Sequence, residues 1–263
     1  MTLLSTPAVI LRSYRYSETS KVVRLATREL GVQSAIAKGA LRPQSPFGAA
    51  LELLSEGVAQ LYHRDSRELQ TLAAFDVTAL RRGLATSLGR FAGATTLAEV
   101  MLKMAPPAPL SSAYDRLVAG LESLATAPAD AVDATAVRAL WRLLGVLGFE
   151  PSLLACARDG AGLEAGNGAA VIFSAADGGA LCARCAAAGA PDGASRLPPP
   201  AFRDLLALND PAAALPALDA AHAAAHRRLV ARFTRYHLGE GGAPPSPLPA
   251  LDLWERRAWI VAS

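Results

Sequence analysis

Cysteine is scarce in this chain: three residues in 263, Cys156, Cys182 and Cys185. So few thiols exclude a disulfide framework as the source of stability. Long apolar runs are missing too. No stretch of eighteen uninterrupted apolar residues occurs, so no membrane span is expected. No charged n-region followed by an apolar run stands at the N-terminus. Together these absences give the expectation of a cytoplasmic protein. Aromatic residues make up only 6% of the chain, and the 52% apolar content leans on alanine, which favours helices.

Signatures of catalysis are equally thin. No Gly-x-x-x-x-Gly-Lys-Ser/Thr loop exists, so ATP binding by that route is unsupported. Gly31 and Gly39 read as turn glycines, not as a dinucleotide fingerprint. Ser17, Thr19 and Ser20 share a turn with no serine-histidine-aspartate set around them, and no acidic cluster could hold two divalent metals. No repeat of solenoid type is present. The expectation is a binding protein and no enzyme. The length allows two domains, each with its own core.

The first eighty residues are strand-like. Ala8 to Arg15 is rich in β-formers and breaks at Ser17. Across Lys21 to Thr27, Val23, Leu25 and Thr27 face one way and Val22, Arg24 and Ala26 the other. Arg28 to Gly31 reads as a hairpin turn, with Gly31 free to take positive φ. Val32 to Lys38 alternates again, and further strands are expected near Leu51 to His63 and Leu69 to Val77. Five short strands suit a small closed barrel such as the OB-fold, a common holder of oligonucleotides. A small antiparallel sheet packed on helices fits the same pattern.

Charge is concentrated here. Residues 1–45 carry Arg12, Arg15, Lys21, Arg24, Arg28, Lys38 and Arg42 against Glu18 and Glu29, a balance of +5 in a chain of net +3. The remainder is therefore slightly acidic. Basic side chains beside Tyr14 and Tyr16 suit phosphate attraction and base stacking. The plainer reading is a solvated barrel face.

From about Thr78 the pattern turns helical, giving domains at 1–78 and 79–263. Ala79 to Lys103 has apolar residues at three- and four-residue steps, interrupted by Gly83, Gly89 and Gly93, so two shorter helices are an alternative to one. Ala105 to Pro109 stops it. Further helices are expected over Tyr114 to Ala125, Val137 to Leu147, Ala201 to Leu208 and Ala217 to Leu238. A Gly- and Ala-rich region at 151–197, with the apolar run Ala170 to Phe173, interrupts them. Gly239 to Pro249 reads as a linker, and Leu251 to Val261 as a short apolar tail with Arg256 and Arg257. His222 and His226 share a helix face, but Ala223 stands where a metalloprotease motif needs Glu, so they read as a surface pair. Arg227, Arg228, Arg232 and Arg235 form a stripe, either a solvated face or a second phosphate contact.

Three motifs in order give a family likeness: Glu18-Thr19-Ser20 after the first strand, Thr27-Arg28-Glu29-x-Gly31 at the turn, and Ala37-Lys38-Gly39-Ala40 closing the third strand. Gly148-Phe-Glu-Pro151, Leu153-Leu154-x-Cys156 and Gly178-Gly-Ala-Leu-Cys182-x-x-Cys185 follow. The chain resembles the RecO family of bacterial recombination mediators. The resemblance implies an α+β protein, with a five-stranded OB-fold barrel followed by an α-helical domain that carries a small zinc-knuckle-like insertion. It implies binding of single- and double-stranded DNA, annealing of complementary strands, and loading of the recombinase on DNA coated with single-strand-binding protein. RecR and the C-terminal tail of the single-strand-binding protein are the implied partners. The DNA-contacting residues expected are Arg12, Arg15, Lys21, Arg24, Lys38 and Arg42, with Tyr14 and Tyr16 as stacking platforms.

Zinc-binding relatives carry two facing Cys-x-x-Cys pairs, and zinc prefers four tetrahedral donors. Here the first pair reads Cys156-Ala-Arg-Asp159, so Asp159 stands at the fourth position with Cys182 and Cys185 intact. Three readings remain open. The four residues hold one structural zinc, with Asp159 binding through oxygen. Alternatively, the loop is a metal-free remnant packed around Val171, Ile172, Phe173 and Leu181. The third is a redox Cys-x-x-Cys, which wants a lowered thiol pKa and a βαβ setting that the sequence lacks. From a different class, a zinc-knuckle module working through protein contacts alone is the alternative to a DNA-binding protein.

Overall fold

The computed structural model describes residues 2–106, 108–163, 170–239 and 247–256. Of the expected linker, 240–246 fall outside the described residues, as does the tail from 257 on. The chain divides into two compact units, Met1–Thr126 and Ala127–Ser263.

The first unit begins with five strands: β1 (Thr2–Arg15), β2 (Lys21–Thr27), β3 (Gly31–Ala37), β4 (Glu56–His63) and β5 (Leu69–Ala79). They close in the order β1-β2-β3-β5-β4. Closure depends on the length of β1. Residues Thr2 to Val9 pair with β4, Ala8 to Arg15 pair with β2, and the register shifts between Ile10 and Arg12. A shift of this kind bends and twists a strand, which lets one strand serve two neighbours. A short parallel pairing of β3 with β5 seals the other side.

Alternation decides what lies inside. Ile10, Val23, Leu25, Ala35, Ala37, Leu61, Leu72 and Phe75 fill the barrel, as the period of two predicts for β2. Phe47 and Leu51 plug it from the segment between β3 and β4. Leu51 to Ser55 is thus a turn and not the start of a strand. Its apolar residues belong to a plug, which mimics strand composition. At the β2–β3 turn the buried Thr27 hydroxyl donates to the Gly31 carbonyl (2.7 Å) and accepts from the Leu30 N–H (3.1 Å). Gly31 has φ of 69°, and a Cβ there would meet the Ala108 carbonyl oxygen at 3.0 Å.

Two helices complete this unit, α1 (Leu88–Met104) and α2 (Ser111–Thr126). A 3-10 turn at Arg82–Thr86 precedes α1, and Ser87 caps α1 through the Arg90 N–H. The expected long helix therefore breaks at Ser87, where the cap competes with helix continuation. Arg81 bridges Glu56 of β4 and Glu122 of α2, the latter at 3.1 Å. The Tyr114 hydroxyl donates to Glu56 (3.2 Å), and Arg28 forms a two-pronged pair with Asp115 (2.9 and 3.2 Å).

The second unit holds α3 (Val132–Val146), a small sheet of β6 (Val171–Ser174), β7 (Gly179–Leu181) and β8 (Ser195–Leu197), then α4 (Ala183–Ala187), α5 (Pro199–Asn209), α6 (Ala220–Leu238) and α7 (Pro249–Arg256). The sheet order is β7-β6-β8. Its centre is Trp141 of α3, whose ring meets Phe173 of β6 (6.1 Å) and Phe233 of α6 (5.0 Å) edge-on.

The α6 histidines are not a surface pair. His222 meets Asp219 at 2.7 Å, whereas His226 is 2% exposed. The helical period put both on one face, but α6 packs that face partly inward. Burial pushes the His226 imidazole below its ordinary 6.5. The charge of Asp204 raises it and that of His222 lowers it further. A depressed folded pKa means the unfolded chain takes the proton first. The stabilising contribution is complete above about 6.5 and declines as pH falls below that value. Denaturant midpoints of the full chain are expected to drop from neutral to mildly acidic pH. His226→Gln should flatten that part of the profile.

Candidate nucleic-acid interface and cysteine knuckle

Strand register sorts the basic residues of the barrel into two groups. Arg12 lies opposite Arg24, and Arg24 opposite Ser34; one row on, Tyr14 lies opposite Val22 and Val22 opposite Ile36. These positions have the parity opposite to the core residues Val23, Leu25 and Ala35, so they share the outer face of β1-β2-β3. Tyr14 is 46% exposed beside Arg12. The Arg24 Nε is shut from water with no hydrogen-bond partner.

The other group gathers at one end of the barrel. Arg15 and Lys21 are paired across β1 and β2, and Lys21 faces Ala37, next to Lys38. The loop after β3 is tied to the β1–β2 loop by the Leu41 N–H donating to the Thr19 carbonyl (2.9 Å). That bond brings two of the sequence motifs together. Arg42 lays its stem over Gly39, where an added Cβ would sit 3.5 Å from Cδ. Tyr16 is 61% exposed in the adjoining loop. Thus Arg12, Tyr14 and Arg24 form one set, and Arg15, Tyr16, Lys21, Lys38 and Arg42 another.

Local pairing lowers the effective charge. Lys21 meets Glu52 at 3.3 Å, and Arg28 is held by Asp115. Sequence balance could not show either, because both partners come from distant positions. An exposed pair such as Lys21–Glu52 is worth under about 1 kcal/mol, so a phosphate can compete for the lysine. Among the described residues, no carboxylate lies within 4.0 Å of Arg12, Arg15, Arg24, Lys38 or Arg42. Arg15 instead donates to the carbonyls of Ser17 (3.2 Å) and Glu18 (3.5 Å).

The knuckle lies in the second unit. Ser152 runs beside Gly179, and a Cβ at Gly179 would stand 2.2 Å from the Ser152 carbonyl oxygen, so only glycine permits this approach. The Ala157 N–H donates to Ala180 (2.8 Å), clamping the loop to β7. Cys156, Asp159, Cys182 and Cys185 then present one donor atom each, all within 4.8 Å of one another. Asp159 Oδ2 lies 3.4 Å from Cys182 Sγ and 3.1 Å from Cys185 Sγ. With Zn–S near 2.3 Å and Zn–O near 2.1 Å, the edges of a tetrahedral site run about 3.5–3.8 Å, so this donor set fits one metal ion.

Two arginines, Arg158 in the first knuckle loop and Arg184 on α4, were not legible as site residues. Arg184 places its guanidinium 2.7 Å from Asp159 Oδ2. Arg158 grips Asp177 (2.7 and 3.3 Å) and donates to the carbonyls of Cys185 (3.2 Å) and Gly189 (2.9 Å), stapling both loops. In sequence they fall between the four knuckle positions, where no spacing rule applies. Arg184, then the Cys185 thiol, hold the Asp159 carboxyl well below the usual range. Asp159 and desolvation push Cys185 up to about 12. At Cys156 burial opposes ionisation, but backbone N–H groups of Cys182, Asp159 and Arg158 outweigh it and lower the thiol pKa.

A closed five-stranded OB-fold barrel followed by helices, with a Cys/Asp cluster in the second unit, defines an α+β architecture. No helix among the described residues is long and apolar enough to cross a membrane. Residues 1–81 match the family described as "Recombination protein O N terminal", and residues 85–244 match "Recombination protein O C terminal". The chain belongs to the RecO family of DNA repair proteins. It is 34% identical to "DNA repair protein RecO" of Symbiobacterium thermophilum over 198 residues, 75% of this chain and 76% of that protein. The protein of the same name from Anaeromyxobacter dehalogenans is 36% identical over 241 residues, 88% and 90% of the two chains. That of a Nocardioides species is 31% identical over 248 residues, 89% and 94%.

Proposed function

We propose that this chain is a recombination mediator that acts without catalysis in the cytoplasm, at the nucleoid. It binds single- and double-stranded DNA on the barrel, anneals complementary strands and helps load the recombinase on DNA coated with single-strand-binding protein. RecR and the C-terminal tail of the single-strand-binding protein are its partners. The observation that carries this reading is the row of Arg12 and Arg24, beside exposed Tyr14, on the outer face of an OB-fold barrel, with no carboxylate among the described residues pairing either arginine. Phosphates of two strands repel each other. A basic surface that neutralises both lowers the barrier to their approach, and an exposed aromatic ring gives unstacked bases a surface to rest on. Titration of a labelled single strand at two salt concentrations tests it. Affinity should fall steeply with salt. Flat or undetectable binding would favour the alternative, a knuckle module working through protein contacts only.

The knuckle is proposed to hold one structural zinc on Cys156, Asp159, Cys182 and Cys185. With four donors committed, no position stays open for a reacting water. Zinc retained after dialysis against a chelator should not exceed one per chain. Asp159→Cys should hold it more firmly, because thiolate is the softer and stronger donor, and Asp159→Ala more weakly. If wild type and Asp159→Cys are both metal-free, the loop rests on packing around Phe173 and Leu181 alone.

A further inference from the structure

The four arginines of α6 that form one stripe in the sequence have different environments. Arg227 is buried against Asp133 (2.8 Å), and Arg235 is held by Asp252 (2.7 Å) and Glu255. Arg228 and Arg232, one turn apart, are exposed instead and line a cavity of about 290 Å³ together with Arg196, Leu197, His226 and Leu229. His226 is 2% exposed, and neither of its ring nitrogens has a hydrogen-bond partner. A buried polar group left unpaired in a cavity wall is an anomaly that a ligand can remove.

We infer that this cavity of the second unit seats one phosphate-bearing nucleotide unit of a single DNA strand, a nucleic-acid contact in addition to the barrel face. The inference rests on the DNA-binding reading above. Planar guanidinium forks match phosphate oxygens in geometry and charge. Among the described residues, no carboxylate lies within 4.0 Å of Arg196, Arg228 or Arg232. Arg232 donates to the Gly193 carbonyl (2.6 Å) and the Ser195 hydroxyl (3.1 Å), which fixes one edge of its guanidinium. Leu197 and Leu229 supply an apolar wall for a sugar or base.

Size and charge favour a nucleotide over an acidic peptide. Ligand pockets run about 300–1,000 Å³, so this cavity takes one small unit and not a run of side chains. Asp219 sits on His222, which also lines the cavity, and the charge of Asp204 reaches His226. These carboxylates tolerate a singly charged phosphodiester and repel a peptide bearing several.

The full-length chain tests this with the exposed double variant Arg196→Ala/Arg228→Ala. A deoxynucleoside 5′-monophosphate should shift the His226 ring resonances of the wild type, assigned by their loss in His226→Gln. The nucleoside lacking phosphate should leave them in place, and so should the monophosphate with the double variant. The salt slope for single strands should flatten by roughly one to two units in the double variant. If the wild type binds strands but its His226 resonances stay fixed and the slope is unchanged in the variant, the cavity assignment falls and the barrel reading stands. An acidic peptide that moves those resonances where the monophosphate does not would likewise overturn it. Absence of salt-sensitive strand binding by the wild type would overturn the DNA reading itself.

Discussion

Replacing Arg12, Arg24 and Lys38 together by alanine is expected to weaken binding to single strands of every sequence, by roughly tenfold to a hundredfold at moderate salt. The slope of log affinity against log salt should flatten by about two units, since each lost single-strand phosphate contact removes about 0.7. Arg12 and Arg24 share a row on the outer face, and Lys38 belongs to the basic end of the barrel. None of the three meets a carboxylate within 4.0 Å among the described residues, so their full charge is available. Lys21→Ala alone should do less, because Glu52 already engages its ammonium at 3.3 Å. Fluorescence anisotropy across a salt series decides this. Unchanged affinity and slope would reduce the cluster to a solvated face.

The second large effect concerns stability. Trp141→Ala should lower the unfolding free energy of the second unit by about 3–5 kcal/mol, the usual cost of emptying a large aromatic site. Trp141 is 1% exposed and contacts Phe173 and Phe233. Phe173 lies on β6, which pairs with β7, and Cys182 follows β7 directly. Loss of Trp141 should therefore also loosen the knuckle and lower the zinc retained after chelator dialysis. Denaturant unfolding followed by tryptophan-independent circular dichroism gives the first readout and metal analysis the second. A stable variant with full metal content would show that the aromatic cluster is dispensable to the knuckle.

Alternation in β2, the glycine at the β2–β3 turn and the apolar steps of the helices were all legible, because each obeys a local period. The inward Val23 and Leu25 and the positive φ of Gly31 follow from them. The plug around Leu51 was not, since a segment that fills a barrel from outside has strand-like composition without strand pairing. The four knuckle positions were found by the family likeness and its Cys-x-x-Cys spacing, and the fold brings their side chains together. The roles of Arg158 and Arg184 were hidden, because ion pairs joining segments distant in the chain leave no trace in a sequence window. His226 was misplaced to the surface for a related reason. A helical period tells which residues share a face but not which face another element covers.

The way β1 closes the barrel has a bearing on crowding. Because β1 pairs on both sides, with β2 and β4, and β3 meets β5 over Ser34 to Ile36, strand edge open to another sheet is confined to the parts of β3 and β5 beyond that short pairing. Were copies to gather along one DNA molecule, backbone pairing between their barrels would be restricted to those stretches. Elsewhere the barrels would meet through side chains, many of them charged, and such encounters come apart when ionic strength rises.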